Sequence, residues 1–155
     1  IAHYCPDAEI DAMDLSGSAL AVAEENARRH QALNRIRFIR GDFLVWEPQV
    51  LYSLIVSNPP YIPRNELDDL MPAVRDYEPR MALDGGEDGL LFYRAIALKA
   101  QRLLMPGGAV FTEVGIHQAG QVSCLYEKQG LMVRVFKDLS GIDRVVSGEK
   151  TGKYS

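Results

Sequence analysis

The chain has 155 residues, 47% of them hydrophobic and 25% charged, with a formal net charge of −4. That length suits one domain with a substantial core. No apolar run approaches a membrane span, and the acidic balance gives no overall attraction for a phosphate backbone, which argues against direct nucleic-acid binding.

Short strands alternate with helices, the pattern of an α/β layer fold. Residues Ala8 to Asp14 read as a strand, with Ser16 as the N-cap of a helix over Ala19 to His30, where Leu20, Val22, Ala23 and Ala27 recur at helical spacing. Ile36 to Arg40 alternates and ends at Gly41-Asp42. Leu54-Ile55-Val56 is a continuous apolar run, expected of a strand covered on both faces, and it stops at Asn58-Pro59-Pro60. Residues 61 to 88 are rich in Pro, Asp and Gly and read as a long irregular segment, whose length suggests a lid. Leu90 to Leu104 is predicted helical, closed by Pro106-Gly107-Gly108. Ala109 to Val114 follows as a strand, Gln118 to Gln129 as a helix ending at Gly130, and Met132 to Lys137 and Arg144 to Ser147 as two closing strands. The stretch 1–149 is thus expected to be one catalytic domain and residues 150–155 a loose tail.

Cys5 and Cys124 form no Cys-x-x-Cys pair and read as reduced packing residues of a cytoplasmic protein. His3, His30 and His117 show no ligand spacing, so no metal is expected.

In an open parallel sheet, ligands bind beyond the carboxyl ends of the strands, and three strand ends here carry polar residues. A carboxylate such as Asp14 accepts two hydrogen bonds from vicinal ribose hydroxyls, although an acid at this place also serves as a helix cap. Asp42 can accept from an exocyclic adenine amine, with Phe43 against the purine face; a plain Gly-Asp turn with Phe43 in the core is the competing reading. Asn58-Pro59-Pro60-Tyr61 is a sharper signal than either. The prolines stop the strand, stiffen the turn and remove two backbone donors. Acceptors remain, the Asn58 side-chain carbonyl and the Pro59 backbone carbonyl, and they fit the two donors of a planar NH2 group. Tyr61 adds an aromatic wall. Held this way, a weakly nucleophilic amide or aromatic amine is oriented and its developing positive charge stabilised. Asn58, Pro59 and Tyr61 are accordingly the candidate catalytic residues, and Asn58 to Tyr61 the candidate substrate site.

At Asn58-Pro59-Pro60-Tyr61 the chain resembles amino-methyltransferases that use S-adenosylmethionine. The stretches IVSNPPYIP, VRDYEPRMALDGGEDGLLFYRAI and KDLSGIDRVV extend the resemblance to the release-factor glutamine methyltransferase family, known as HemK or PrmC, over nearly the whole chain. The resemblance implies a Rossmann-like S-adenosylmethionine-dependent methyltransferase sheet with helices on both faces. It also implies a reaction, methylation of the side-chain amide nitrogen of the Gln in the Gly-Gly-Gln motif of peptide-chain release factors. By it Asp14 binds the cofactor ribose, Phe43 contacts the adenine with Asp42 beside it, and Asn58 to Tyr61 hold the substrate glutamine, with Asn58 also counted among the cofactor's neighbours. The family's first strand and glycine-rich loop would precede Ile1. Without that strand two inner sheet edges are left unpaired, and residues 1–155 alone are expected to fold poorly and to be inactive. The four-residue motif also suits an N-methyltransferase acting on DNA or RNA, and a non-catalytic remnant module is a third reading.

Overall fold

The computed structural model describes residues 1–152. They fall into two compact units, Ile1–Pro48 and a second beginning at Gln49.

The first unit is a strand–helix–strand crossover: β1 (Ile10–Asp14), α1 (Gly17–Arg29) and β2 (Ile36–Arg40). β1 and β2 pair in parallel, from Ile10 opposite Ile36 to Asp14 opposite Arg40. Parallel neighbours need such a crossover because a tight turn cannot reverse the chain twice. Ser16 starts the helix from an extended backbone, its Oγ accepting the Ala19 N–H at 3.2 Å. Arg28 and Arg29 sit in the last turn, where the helix dipole favours positive charge. Arg28 also pairs with Glu24 and Glu25. β1 begins at Ile10, two residues later than the predicted strand, because its ladder with β2 begins there.

The second unit contains β3 (Tyr52–Ser57), the single turn α2 (Pro72–Arg75), α3 (Leu91–Leu103), β4 (Leu104–Glu113), α4 (Ala119–Lys128), β5 (Leu131–Lys137) and β6 (Asp143–Lys150). The strand order is β3-β4-β6-β5, with β3 parallel to β4 and β6 antiparallel to both its neighbours. Its core is built from Tyr93, Ile96 and Ala100 of α3, Val122 and Tyr126 of α4, and Val110, Thr112 and Val146 of the sheet. Two tyrosines carry their hydroxyls into this core on hydrogen bonds. Tyr93 donates to the Glu113 carbonyl at 2.9 Å, and the Tyr126 hydroxyl lies 2.9 Å from Thr112 Oγ1. Burial raises both phenols well above the ordinary tyrosine value, which keeps them protonated and able to donate.

Several sequence expectations are corrected. Leu54 and Val56 are 40% and 59% exposed, so β3 is covered on one face only. β1 and β3 are each an edge strand of their own sheet, and the helices of the second unit pack where Val110, Thr112 and Val146 are buried, on the opposite side from Val56 and its partner Phe111. Pro106-Gly107-Gly108 does not follow the helix as a separate stop. α3 ends at Leu103, and the three residues lie within β4, where pairing with β3 jumps from Tyr52–Leu104 to Leu54–Ala109. A proline has no N–H for the ladder, and Gly107 takes φ +78°, so the chain bulges there instead. Residues 61 to 88 are not structureless: Arg64–Asp69 and Arg80–Ala82 form 3-10 turns flanking α2. The last strand is longer than predicted and takes in Lys150, whose ammonium donates to the carbonyls of Gln101 and Leu104 at 2.7 and 2.9 Å and so closes the end of α3. Of the predicted tail, residues 153–155 lie outside the described residues.

Candidate functional site

β3 and β4 run in parallel to a common end, Ser57 opposite Thr112. There Asn58 is exposed, Pro59 is buried, and Pro60 and Tyr61 are half-buried. The chain is then caught by residues 83–89. Ile62 forms an isolated parallel bridge with Asp84. The Ile62 N–H donates to the Leu83 carbonyl at 3.0 Å, the Gly85 N–H to Ile62 at 2.9 Å, and the Arg64 N–H to Gly86 at 2.8 Å.

The composition of this second loop follows from how close it comes. A Cβ on Gly85 would meet Tyr61 Cα and carbonyl carbon at 2.8 Å, and one on Gly89 would meet the Tyr61 oxygen at 2.4 Å. Gly86 and Gly89 also take φ +88° and +73°, where an L side chain is strained. Asp84 holds the loop's shape: its Oδ1 accepts the Gly86 N–H at 2.9 Å and its Oδ2 the Arg64 Nε–H at 3.0 Å. The Gly86 amide, and after it the Arg64 guanidinium, keep this carboxyl below the usual aspartate range. Asp88 is lowered in the same way, first by Arg94 and then by the Leu90 amide.

A third element grips the same backbone. Gln118, at the N-cap of α4, donates from Nε2 to the Tyr61 carbonyl at 2.9 Å and accepts the Gly115 N–H on Oε1 at 3.1 Å. Gln118 was not among the candidates read from the sequence. The available signal was a glutamine at a position where Ser, Thr, Asp or Asn normally caps, which leaves its amide for another task.

In the first unit, Asp14 is exposed at the end of β1, and its Oδ1 accepts the Ser16 N–H at 2.7 Å. Asp42 follows β2, is half-buried, and accepts the Leu44 N–H at 2.8 Å. Phe43 is half-buried, its ring 6.4 Å from that of Trp46. Each carboxylate therefore has one oxygen engaged by its own turn, and ionised carboxylates accept further bonds on the other.

Among the described residues no group of three or more His, Cys, Asp or Glu side chains is arranged to hold a metal ion. Among the described residues no helix is long and apolar enough to cross a membrane.

Residues 1–73 match the family model described as the methyltransferase small domain. The chain is 44% identical over 149 residues to a release factor glutamine methyltransferase from Geobacter sulfurreducens, covering 96% of this chain and 52% of that protein. It is 46% identical over 139 residues to one from Caulobacter vibrioides, covering 89% and 48%. The chain thus spans about half the length of the curated relatives it matches. Among solved structures, a methyltransferase from Pyrococcus furiosus superposes with a TM-score of 0.65 at 17% identity, over 92% of this chain and 63% of that one. The likeness shows a Rossmann-like α/β fold. The protein-(glutamine-N5) methyltransferase (release factor-specific) from Alicyclobacillus acidocaldarius superposes at 0.50 with 27% identity, over 93% and 80%.

Proposed function

We propose that the chain belongs to the release factor glutamine methyltransferase family and that it transfers a methyl group from S-adenosylmethionine to the side-chain amide nitrogen of a glutamine. The substrate we assign is the Gln of the Gly-Gly-Gln motif of a peptide-chain release factor, met in the cytoplasm. The observation that carries the reading is Asn58-Pro59-Pro60-Tyr61 at the carboxyl end of β3, with Asn58 exposed and the backbone after it held by residues 83–89 and Gln118.

The bound cofactor would supply an electrophilic methyl group on a sulfonium. In the first unit, we assign its ribose to Asp14, an exposed carboxylate at a strand end, and its adenine to Asp42 and Phe43. In the second, Asn58 and Pro59 receive the amide of the substrate, and Asn58 is counted with the cofactor's neighbours as well. An amide nitrogen is a poor nucleophile because its lone pair is shared with the carbonyl. The Asn58 side-chain carbonyl and the Pro59 backbone carbonyl each accept one of its two N–H bonds, which fixes the direction of attack. They also stabilise the positive charge that grows on nitrogen as it bonds to carbon. Neither proline has an N–H to compete for these acceptors. Pro60 keeps the turn rigid, and Tyr61 walls the acceptor amide. The extra proton leaves after transfer, so the scheme needs no strong general base.

The test is methyl transfer from labelled S-adenosylmethionine to a release factor, beside a release factor with its Gly-Gly-Gln glutamine changed to Ala. The protein is produced from its complete coding sequence. Label that requires that glutamine supports the assignment. Label on DNA or RNA and none on the release factor overturns it.

A further inference from the structure

We infer that Gln118 is a positioning residue for methyl transfer, one that sets the acceptor turn Asn58-Pro59 by locking the carbonyl of Tyr61; the inference rests on the proposed function of that turn. Gln118 lies 57 residues from Tyr61 in sequence. Although it stands at the N-cap of α4, its side chain makes no capping bond to the helix. It turns back instead, with Nε2 2.9 Å from the Tyr61 oxygen and 3.5 Å from that of Gly89, and Oε1 accepting the Gly115 N–H at 3.1 Å. The glutamine amide donates at one end and accepts at the other, which an ionised carboxylate cannot do, and asparagine is one methylene shorter.

Two further features are arranged around this contact. A Cβ on Gly115 would lie 2.7 Å from Gln118 Oε1 and 2.9 Å from Tyr61 Cδ2, and one on Gly89 would lie 2.7 Å from Gln118 Nε2. Both positions must stay bare for the amide to sit where it does. The turn that delivers Gln118 closes with its own N–H on the Gly115 carbonyl at 3.1 Å and holds His117 at φ +70°, a conformation non-glycine residues rarely adopt. Such strain persists only where the surroundings enforce it.

The mechanical consequence is specific. The β3 ladder fixes the chain before Asn58, and Pro59 and Pro60 lock two backbone angles. Fixing the Tyr61 carbonyl removes the freedom at the other end. The two acceptors at Asn58 and Pro59 are then preset before the substrate amide arrives, and a misplacement on the order of 1 Å at such a site costs roughly 100-fold in rate.

The experiment compares wild type with Gln118→Glu and Gln118→Met, measuring kcat and KM across pH with the release factor as substrate. An ionised Glu still accepts from Gly115 but has no donor for Tyr61; a protonated Glu regains one. The expected result for Gln118→Glu is a kcat lowered by roughly 100-fold near neutral pH with both KM values little changed. Its activity relative to wild type should climb as pH falls toward the carboxylic-acid range. Gln118→Met, with no polar end, should stay low throughout. A Gln118→Glu ratio flat in pH, or a rise in KM with kcat intact, overturns the positioning role. Should Gln118→Glu fail to fold, hydrogen exchange at the Gly115 amide decides: protection in wild type that disappears in Gln118→Met supports the lock, and fast exchange in wild type overturns it. A wild-type enzyme that labels no release factor overturns the proposed function itself, a result distinct from either variant's behaviour.

Discussion

At the end of β1 the Asp14 carboxylate is tied to the amide of Ser16, two residues on, and after β2 Asp42 is tied to Leu44, again two residues on. At the end of β3 the Tyr61 backbone is tied to Gln118, 57 residues away, and its neighbour Ile62 to Leu83 and Gly85. The first kind of exit is a local turn in which one carboxylate oxygen is engaged by the backbone two residues on. The second is a backbone gripped from two distant segments. The contrast fits the tasks assigned to them. A ribose brings its own hydroxyls to whichever carboxylate oxygen is open. Orienting an amide lone pair demands acceptors that are already in place.

The largest effect expected is on chemistry. Asn58→Ala removes one of the two acceptors and should lower methyl transfer by about 100- to 1000-fold, with a much smaller loss of S-adenosylhomocysteine binding, followed by calorimetry, since Asn58 is also assigned beside the cofactor. An equal loss of cofactor binding would erase the distinction between the two kinds of exit. Next is the grip itself. Gly89→Ala combines a positive φ with a Cβ 2.4 Å from the Tyr61 oxygen and should destabilise the protein by ~2–4 kcal/mol in urea. Gly107→Ala has a similar φ but nothing within 4 Å, so only the backbone cost of ~1–2 kcal/mol should appear. Equal costs would mean that close approach to Tyr61 adds nothing.

For the local exits, Asp14→Ala should weaken cofactor binding by roughly 10-fold, the scale of a lost charged hydrogen bond, and change stability by less than about 1 kcal/mol. A smaller effect still is expected from pH on Asp84. Its folded value is lowered, so its stabilisation is complete above the ordinary aspartate value of 3.8 and is lost as pH falls through the folded value. Acid unfolding of Asp84→Asn should therefore show a shallower loss over that window than wild type. The difference should be modest, because the Arg64 partner is largely exposed.

Much of the secondary structure was legible because its signals are local. Ser16 caps α1 as read, β2 occupies the residues of its alternating run, and β3 stops where two prolines forbid a further ladder. The failures came where a neighbour outside the local pattern decided. Leu54 and Val56 have the composition of a strand buried on both faces, yet β3 is an edge strand with one face bare. Pro106-Gly107-Gly108 has the composition of a helix stop, yet β4 takes it up as a bulge because β3 lies alongside to receive the residues that flank it. Lys150, placed in a tail by its position, is a strand residue that closes α3.

The places where the strands end were already set by local features of the amino-acid sequence. Proline geometry, acceptor-only groups and turn-forming aspartates act over two or three residues, and the motif Asn58-Pro59-Pro60-Tyr61 carries them wherever it is placed. Only the tertiary structure decided what holds that motif. Gln118, Gly115 and residues 83–89 are far from it along the chain, and their glycines and amide acquire meaning only when packing leaves no room for a Cβ and one carbonyl in need of a donor.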